Sequence, residues 1–291
     1  MAGALCRKCG GVLAQVIKDM GLEYHIGCEP EEKQVPVVFG NPGGIDPFAE
    51  QVRKDLMEVI RWADANSTRS LQQEIGPSEL GNECDRFVAY RLAQVPMVNT
   101  ATDPWPAIVG TAIHAWLEKA INDFQAFAGA TRWSTELTTY PDLLTKGHLD
   151  LFDHWEHMVC DWKSLGTTKM RMWKKSGPPE KHKDQVNLYA KGMVEAGHQV
   201  EKVCLIGIPR AGWLSDMTLW VDEYRPERAQ AALDRRDQIG YRLLDLDILN
   251  NPQRFEDIPA MSDNCSFCPF FRVENRGGPA DGTGCPGMPR E

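Results

Sequence analysis

The chain reads as an α/β protein, a central mixed sheet flanked by helices with a small metal-bound module ahead of it. Three observations predict this. Short alternating or apolar runs bounded by turn residues recur at 131–140, 145–152, 158–160, 200–209 and 216–221. Longer stretches with apolar residues at three- and four-residue spacing flank and separate them. The first thirty residues hold four metal-ligating side chains in a segment too short to bury a core unaided. A hairpin, a further strand, a helical crossover and more strands together imply a mixed sheet.

Cys6, Cys9, His25 and Cys28 are spaced C-x2-C-x15-H-x2-C, a set that suits one tetrahedral zinc, and Gly10-Gly11 permits the tight turn behind the first pair. Residues 1–30 are therefore expected to be a zinc-ribbon-like module. Residues 31–47 carry a charge run followed by Pro36, Pro42, Gly43 and Gly44 and read as a linker. Residues 48–291 form the main domain. Its first element is an amphipathic helix over 46–66, whose stripe of Phe48, Val52, Leu56, Val59, Ile60 and Ala63 predicts core or interdomain packing. A short helix starts near Ser78, an N-cap candidate. A long helix over 105–127 has Pro106 in its first turn and carries His114. The strand over 131–140 follows, then a hairpin of 145–152 and 158–160 closed by the polar turn Asp153–His157. A helix over 179–196 leads to strands near 200–209 and 216–221. A charged amphipathic helix over 226–249 returns the chain to a Gly/Pro-rich tail with Cys265, Cys268 and Cys285.

The chemistry gathers on the hairpin. Residues two apart on a strand share a face, so Asp161 and Lys163 project together, and the partner strand can bring Asp150 beside them. Two carboxylates and an ammonium at one point suit a hard divalent cation, with the lysine orienting or activating a water. By themselves these residues fit a solvated hairpin with an ordinary ion pair equally well. On the following helix Gln185 and Tyr189 are four apart and stack on one face. His148 adjoins the acid but points to the opposite side of its strand, and His154 and His157 belong to the turn.

An acid, then D-x-K, then Q-x-x-x-Y on the next helix resembles the RecB-like branch of the PD-(D/E)XK nucleases. Gly110-Thr111-Ala112-Ile113-His114 is similar to the early helix of that family, and Glu136 sits where relatives often carry another acid. The resemblance spans residues 78–285. It implies a restriction-endonuclease-like core and a metal-dependent deoxyribonuclease, often an exonuclease acting on ends, in recombination, repair or phage DNA processing. It also implies roles. His114, Asp150, Asp161 and the Trp162 carbonyl would hold one or two Mg²⁺ or Mn²⁺, Lys163 would position the attacking water, and Gln185 and Tyr189 would position the strand or buttress the lysine. Cys84 before the core, with Cys265, Cys268 and Cys285 after it, resembles the iron–sulfur members, the AddB-type and CRISPR-associated RecB-like nucleases. That resemblance implies a 4Fe–4S cluster. Sixteen residues separate Cys268 from Cys285, a longer spacer than relatives have, and zinc is the rival occupant of four thiolates. Cys160 and Cys204 lie in apolar runs and read as buried small side chains.

The net charge of −9 argues against a polyanionic partner, but its distribution does not. From Lys163 to Lys191 eight Lys/Arg face only Glu180 and Asp184, a local +6 that leaves −15 elsewhere. Lys169, Arg171, Trp173, Lys174 and Lys175 are therefore expected to bind DNA, with the Trp162 and Trp173 rings available to stack on unpaired bases. A solvated basic loop is the alternative. The N-terminus shows no apolar signal core and no run approaches a membrane span, so a reducing cytoplasm of a bacterium or phage-infected host is expected. No GxxxxGK[ST] loop occurs, so any unwinding belongs to a helicase or recombinase partner. Two other classes fit the same residues: a non-catalytic DNA-binding adaptor, and a nuclease directed at RNA, since no side chain here reads a 2′-hydroxyl.

Overall fold

The computed structural model describes residues 47–66, 74–99, 103–261, 265–275 and 278–287. Cys6, Cys9, His25 and Cys28 and the linker lie outside the described residues. The chain divides into two compact units, residues 1–60 and 61–291. Helix α1 (Pro47–Ala65) runs across that division. Its Phe48, Val52, Leu56 and Val59 are exposed.

The second unit is built on a five-stranded sheet of order β1-β2-β3-β4-β5, with β1 Trp133–Asp142, β2 Thr145–Asp153, β3 Met158–Leu165, β4 Lys202–Pro209 and β5 Thr218–Glu223. β3 and β4 pair in parallel and the other neighbours pair antiparallel, which makes the sheet mixed. The parallel pair follows from the long connection, since a tight turn can join only antiparallel neighbours. That connection holds α5 (Thr167–Ser176) and α6 (Glu180–Glu195). The turn between β2 and β3 forms as expected, because the Asp153 carboxylate accepts the amides of Trp155 and Glu156 while Arg132 holds it from outside.

Helices α2 (Pro77–Leu80), α3 (Asp85–Leu92), α4 (Trp105–Ala128) and α7 (Pro226–Asp245) complete the unit. Helix α4 lays Ile113, Leu117 and Ile121 against Cys160, Trp162, Cys204 and Ile208 on one face of the sheet. On the other face α6 buries Val186, Tyr189, Ala190 and Met193 against Leu149, Val159, Val203 and Leu205. Its Leu188 turns the opposite way, into a cluster with Val88 and Tyr90 of α3 and Leu233 and Ile239 of α7. Covered on both sides, α6 is buried from Gln185 to Ala190 and at Gly192 and Met193, with Gln185 and Asn187 as the buried polar side chains among them. Burial at this density lets α6 hold a side chain on the sheet without loop freedom.

Two elements went beyond the sequence expectation. The basic segment after β3 is helical over α5, where Met170 and Trp173, three apart, are buried. The Cys84–Arg91 segment is helical as α3, with Cys84 at its N-cap position.

Candidate active site

β2 and β3 pair from Asp153↔Met158 to Leu151↔Cys160, and the recorded ladder stops there. At the next position the Trp162 amide donates to Asp150 Oδ2 at 2.7 Å. The carboxylate thus takes a backbone donor at the point where the strands part. Its other oxygen lies 3.2 Å from His114 Nδ1 on α4. Burial alone would lower the His114 pKa, but the hydrogen bond and charge of Asp150, with Asp161 beyond, raise it above its ordinary value.

Glu136 completes this corner. Its neighbours Thr135 and Leu137 pair with Leu151 and Leu149, which sets Glu136 across from Asp150. Donor atoms of His114, Glu136 and Asp150 all lie within 4.8 Å of one another. Glu136 reaches this position with φ of 52°, the left-handed region that a non-glycine residue seldom adopts, so the backbone is strained where the carboxylate is delivered.

Asp161 lies beside this set rather than in it. Its Oδ2 stands 2.8 Å from Lys163 Nζ and its Oδ1 accepts from Gln185 Nε2 at 3.1 Å. Lys163 Nζ also donates to Gln185 Oε1 at 2.8 Å, and Gln185 Nε2 reaches Tyr189 Oη at 3.0 Å. The amide of Gln185 thereby ties acid, lysine and phenol together. Asp161 Oδ2 is buried and accepts no aligned hydrogen bond among the described residues, leaving the ion pair as its contact. Burial pushes the Asp161 carboxyl up to about 6; Lys163 opposes the rise and Asp150 adds to it.

His182 was not singled out from the sequence. It stands three and seven residues before Gln185 and Tyr189, on the same helical face, and that spacing was the available signal. Burial, with Lys163 and Lys181 nearby, pushes its pKa down to about 3, so its ring is neutral beside Lys163. Gly147 has a packing reason: a Cβ there would fall 2.7 Å from Tyr189 Cε1 and 2.8 Å from Pro77 Cγ.

Of the expected DNA-binding residues, Lys169, Arg171, Lys174 and Lys175 are exposed. Trp173 is not, at 7 % exposure in the core beneath α5, and Trp162 is buried at 5 % under α4. Neither ring is open to a base. The alternation of β3 and the three-residue spacing from Met170 turn both indoles inward.

The tail that carries Cys268 and Cys285 packs against α3. The Tyr90 hydroxyl donates to the Gly284 carbonyl at 2.8 Å, and Arg86 donates to the Ile258 and Glu256 carbonyls and lies 3.7 Å from Cys285 Sγ. Asn99 Nδ2 donates to the carbonyls of Ser266 and Cys268. Burial, with the charges of Cys285, Cys84 and Cys265 adding to it and the Phe270 amide opposing it, pushes the Cys268 thiol up to about 12. Cys160 and Cys204 are paired across β3 and β4 and buried, as expected of core side chains.

No known family profile matches the chain, and no curated protein matches it in sequence. Among solved structures it is similar to the crystal structure of a protein designated SSO0001, with 18 % identity, 75 % of this chain and 94 % of that one covered, and a TM-score of 0.45. It is also similar to the alkaline exonuclease LHK-Exo of Laribacter hongkongensis, with 9 % identity, 62 % and 92 % of the two chains covered, and a TM-score of 0.44. The complex of that exonuclease with dAMP gives 11 % identity, the same coverage and a TM-score of 0.43. No helix among the described residues is long and apolar enough to cross a membrane.

Proposed function

We propose that this protein is a metal-dependent deoxyribonuclease of the RecB-like PD-(D/E)XK type, acting on DNA ends or single strands. The observation that carries the proposal is the arrangement at the point where β2 and β3 part. Asp150 and Asp161 enter from adjacent strands, and Lys163 is held by both Asp161 and Gln185.

The residues fit a hard divalent cation. Asp161 Oδ2 is a buried carboxylate oxygen without an aligned donor, and His114, Glu136 and Asp150 converge beside it. Asp150, Asp161 and His114, with the Trp162 carbonyl, would hold one or two Mg²⁺ or Mn²⁺. Such an ion supplies Lewis acidity, lowering the pKa of a water and neutralising charge on a phosphodiester.

The chain's own residues do the rest. Lys163 presents an ammonium fixed at two points, which leaves a third proton to orient a water against a phosphate. Gln185 keeps that ammonium on the metal side of the sheet, and Tyr189 keeps Gln185 in its rotamer. His182, being neutral, adds no charge that would compete with Lys163 for the phosphate. Magnesium or manganese enters as cofactor and DNA as substrate, with a helicase or recombinase the partner that would supply single-stranded ends.

Two structural metals belong to the same reading. Cys84, Cys265, Cys268 and Cys285 would carry a 4Fe–4S cluster, with zinc as the rival, and Cys6, Cys9, His25 and Cys28 a zinc ion. Iron and zinc counted on anaerobically purified protein, with its visible absorption spectrum, separate these assignments.

The test of the activity is cleavage of linear DNA in Mg²⁺ or Mn²⁺. Asp161→Ala and Lys163→Ala are each expected to lower the rate about a thousandfold, the scale of losing one preorganised charge centre. Full cleavage by Asp161→Ala overturns the assignment.

A further inference from the structure

With Trp162 and Trp173 buried, the cationic face near the site has no stacking ring from the segment that was expected to provide it. A different tryptophan stands there. Trp213 lies on the loop after β4 and is 80 % exposed, with Leu214 beside it at 75 %. Two large apolar side chains thus stand open to solvent side by side.

The loop is built rather than slack. Its first residue, Arg210, donates its amide to the Leu165 carbonyl at 2.8 Å, and its guanidinium donates to Ser164 Oγ and the Ser164 carbonyl, both at 3.1 Å. Ser164 directly follows Lys163, so one end of the loop is tied to the strand that carries the catalytic lysine. At the other end Asp216 Oδ2 accepts the Trp213 amide at 3.2 Å, and the Asp216 amide returns a bond to the Trp213 carbonyl at 2.9 Å. Asp216 Oδ1 lies 3.4 Å from Lys174 Nζ, which ties the turn to α5. Gly212, at φ of 118°, makes the sharp bend before the tryptophan.

The surroundings are positive. α5 carries Lys169, Arg171, Lys174 and Lys175 and no acid, all four are exposed, and Arg210 is exposed as well. An exposed aromatic ring on a loop tied to a basic helix, at the carboxyl ends of two parallel strands, is the composition of a single-strand nucleic-acid platform: phosphates meet the cations and a base meets the ring. A protein partner with an apolar face would not call for four exposed cations on the helix to which this loop is tied.

We propose that Trp213 is the base-stacking residue of this protein, and that it and the α5 cations hold an unpaired stretch of the DNA strand. The assignment rests on the nuclease reading and refines it, because it selects substrates with a single-stranded end.

The probe is a fluorescein-labelled oligo-dT, with binding followed by anisotropy in EDTA so that no cleavage is involved. Trp213→Ala is expected to bind about five- to a hundredfold more weakly, the range for loss of one base stack, and Trp213→Phe to recover most of the affinity. Lys175→Ala is expected to weaken binding modestly and to lower the salt slope by about one. In cleavage, the Trp213→Ala loss should fall on KM for duplexes with single-stranded overhangs. If the parent cuts DNA while Trp213→Ala binds oligo-dT as the parent does, the ring serves another surface, such as a protein partner, and this proposal alone falls. If the parent neither binds nor cuts DNA, the nuclease reading falls first and takes this one with it.

Discussion

Gln185→Leu tests the centre of the site without touching a charged residue. The amide holds Lys163 at 2.8 Å, Asp161 at 3.1 Å and Tyr189 at 3.0 Å, and the residue is 4 % exposed. Two of those partners are charged, and hydrogen bonds to charged groups contribute about 1.5–3 kcal/mol each. Leucine fills most of the volume and leaves the ion pair standing, so the net loss should be about 2–4 kcal/mol. For a unit of this size that lowers Tm by roughly 5–15 °C. The lysine, released on one side, loses its fixed direction, and misplacement by about 1 Å can cost a hundredfold in rate. Thermal unfolding and cleavage of linear DNA in Mg²⁺ measure the two effects separately. A Gln185→Leu protein that melts with the parent and cuts at the parent's rate refutes the whole bridging role. A protein that melts lower but cuts normally shows the bridge to be structural only.

Gly147→Ala should lose about 1–3 kcal/mol, because its Cβ would collide with Tyr189 and Pro77, and urea unfolding measures it. Asp161 gives a pH dependence whose sign can be worked out. Its folded pKa, about 6, exceeds the ordinary 3.8, so the metal-free fold holds this proton more tightly than the unfolded chain. Stability from this group is therefore present at low pH and declines as pH rises from about 4 to 6, by at most about 3 kcal/mol, and Asp161→Asn should flatten that decline in EDTA. His114, with its pKa raised by Asp150, must lose its proton to bind a metal, so apparent Mn²⁺ affinity by calorimetry should fall as pH drops through that raised pKa, above the ordinary imidazole range, and do so less in His114→Ala. Cys84→Ala and Cys268→Ala should each lower Tm and release iron or zinc. Variants that keep both the metal and the parent's melting point would abolish the four-cysteine site.

Much of the site was legible in the sequence because its members are locally coupled. Asp161 and Lys163 share a strand face by the period of two, and Gln185 and Tyr189 share a helix face by the spacing of four. These periods hold whatever the rest of the chain does. The hairpin partner brought Asp150 in through one short turn. Cys84 and the tail cysteines were legible as ligand types, but the return of the tail to α3, whose Tyr90 and Arg86 clasp it, was not. Burial is where tertiary structure alone decided. Trp162 and Trp173 sit in a basic stretch that reads as surface, yet one faces α4 and the other lies under α5, since each element can bury only the side that meets its neighbour. The left-handed backbone that delivers Glu136 beside His114 and Asp150 likewise follows from strain held by the surrounding sheet and helix, which no local pattern of residues encodes.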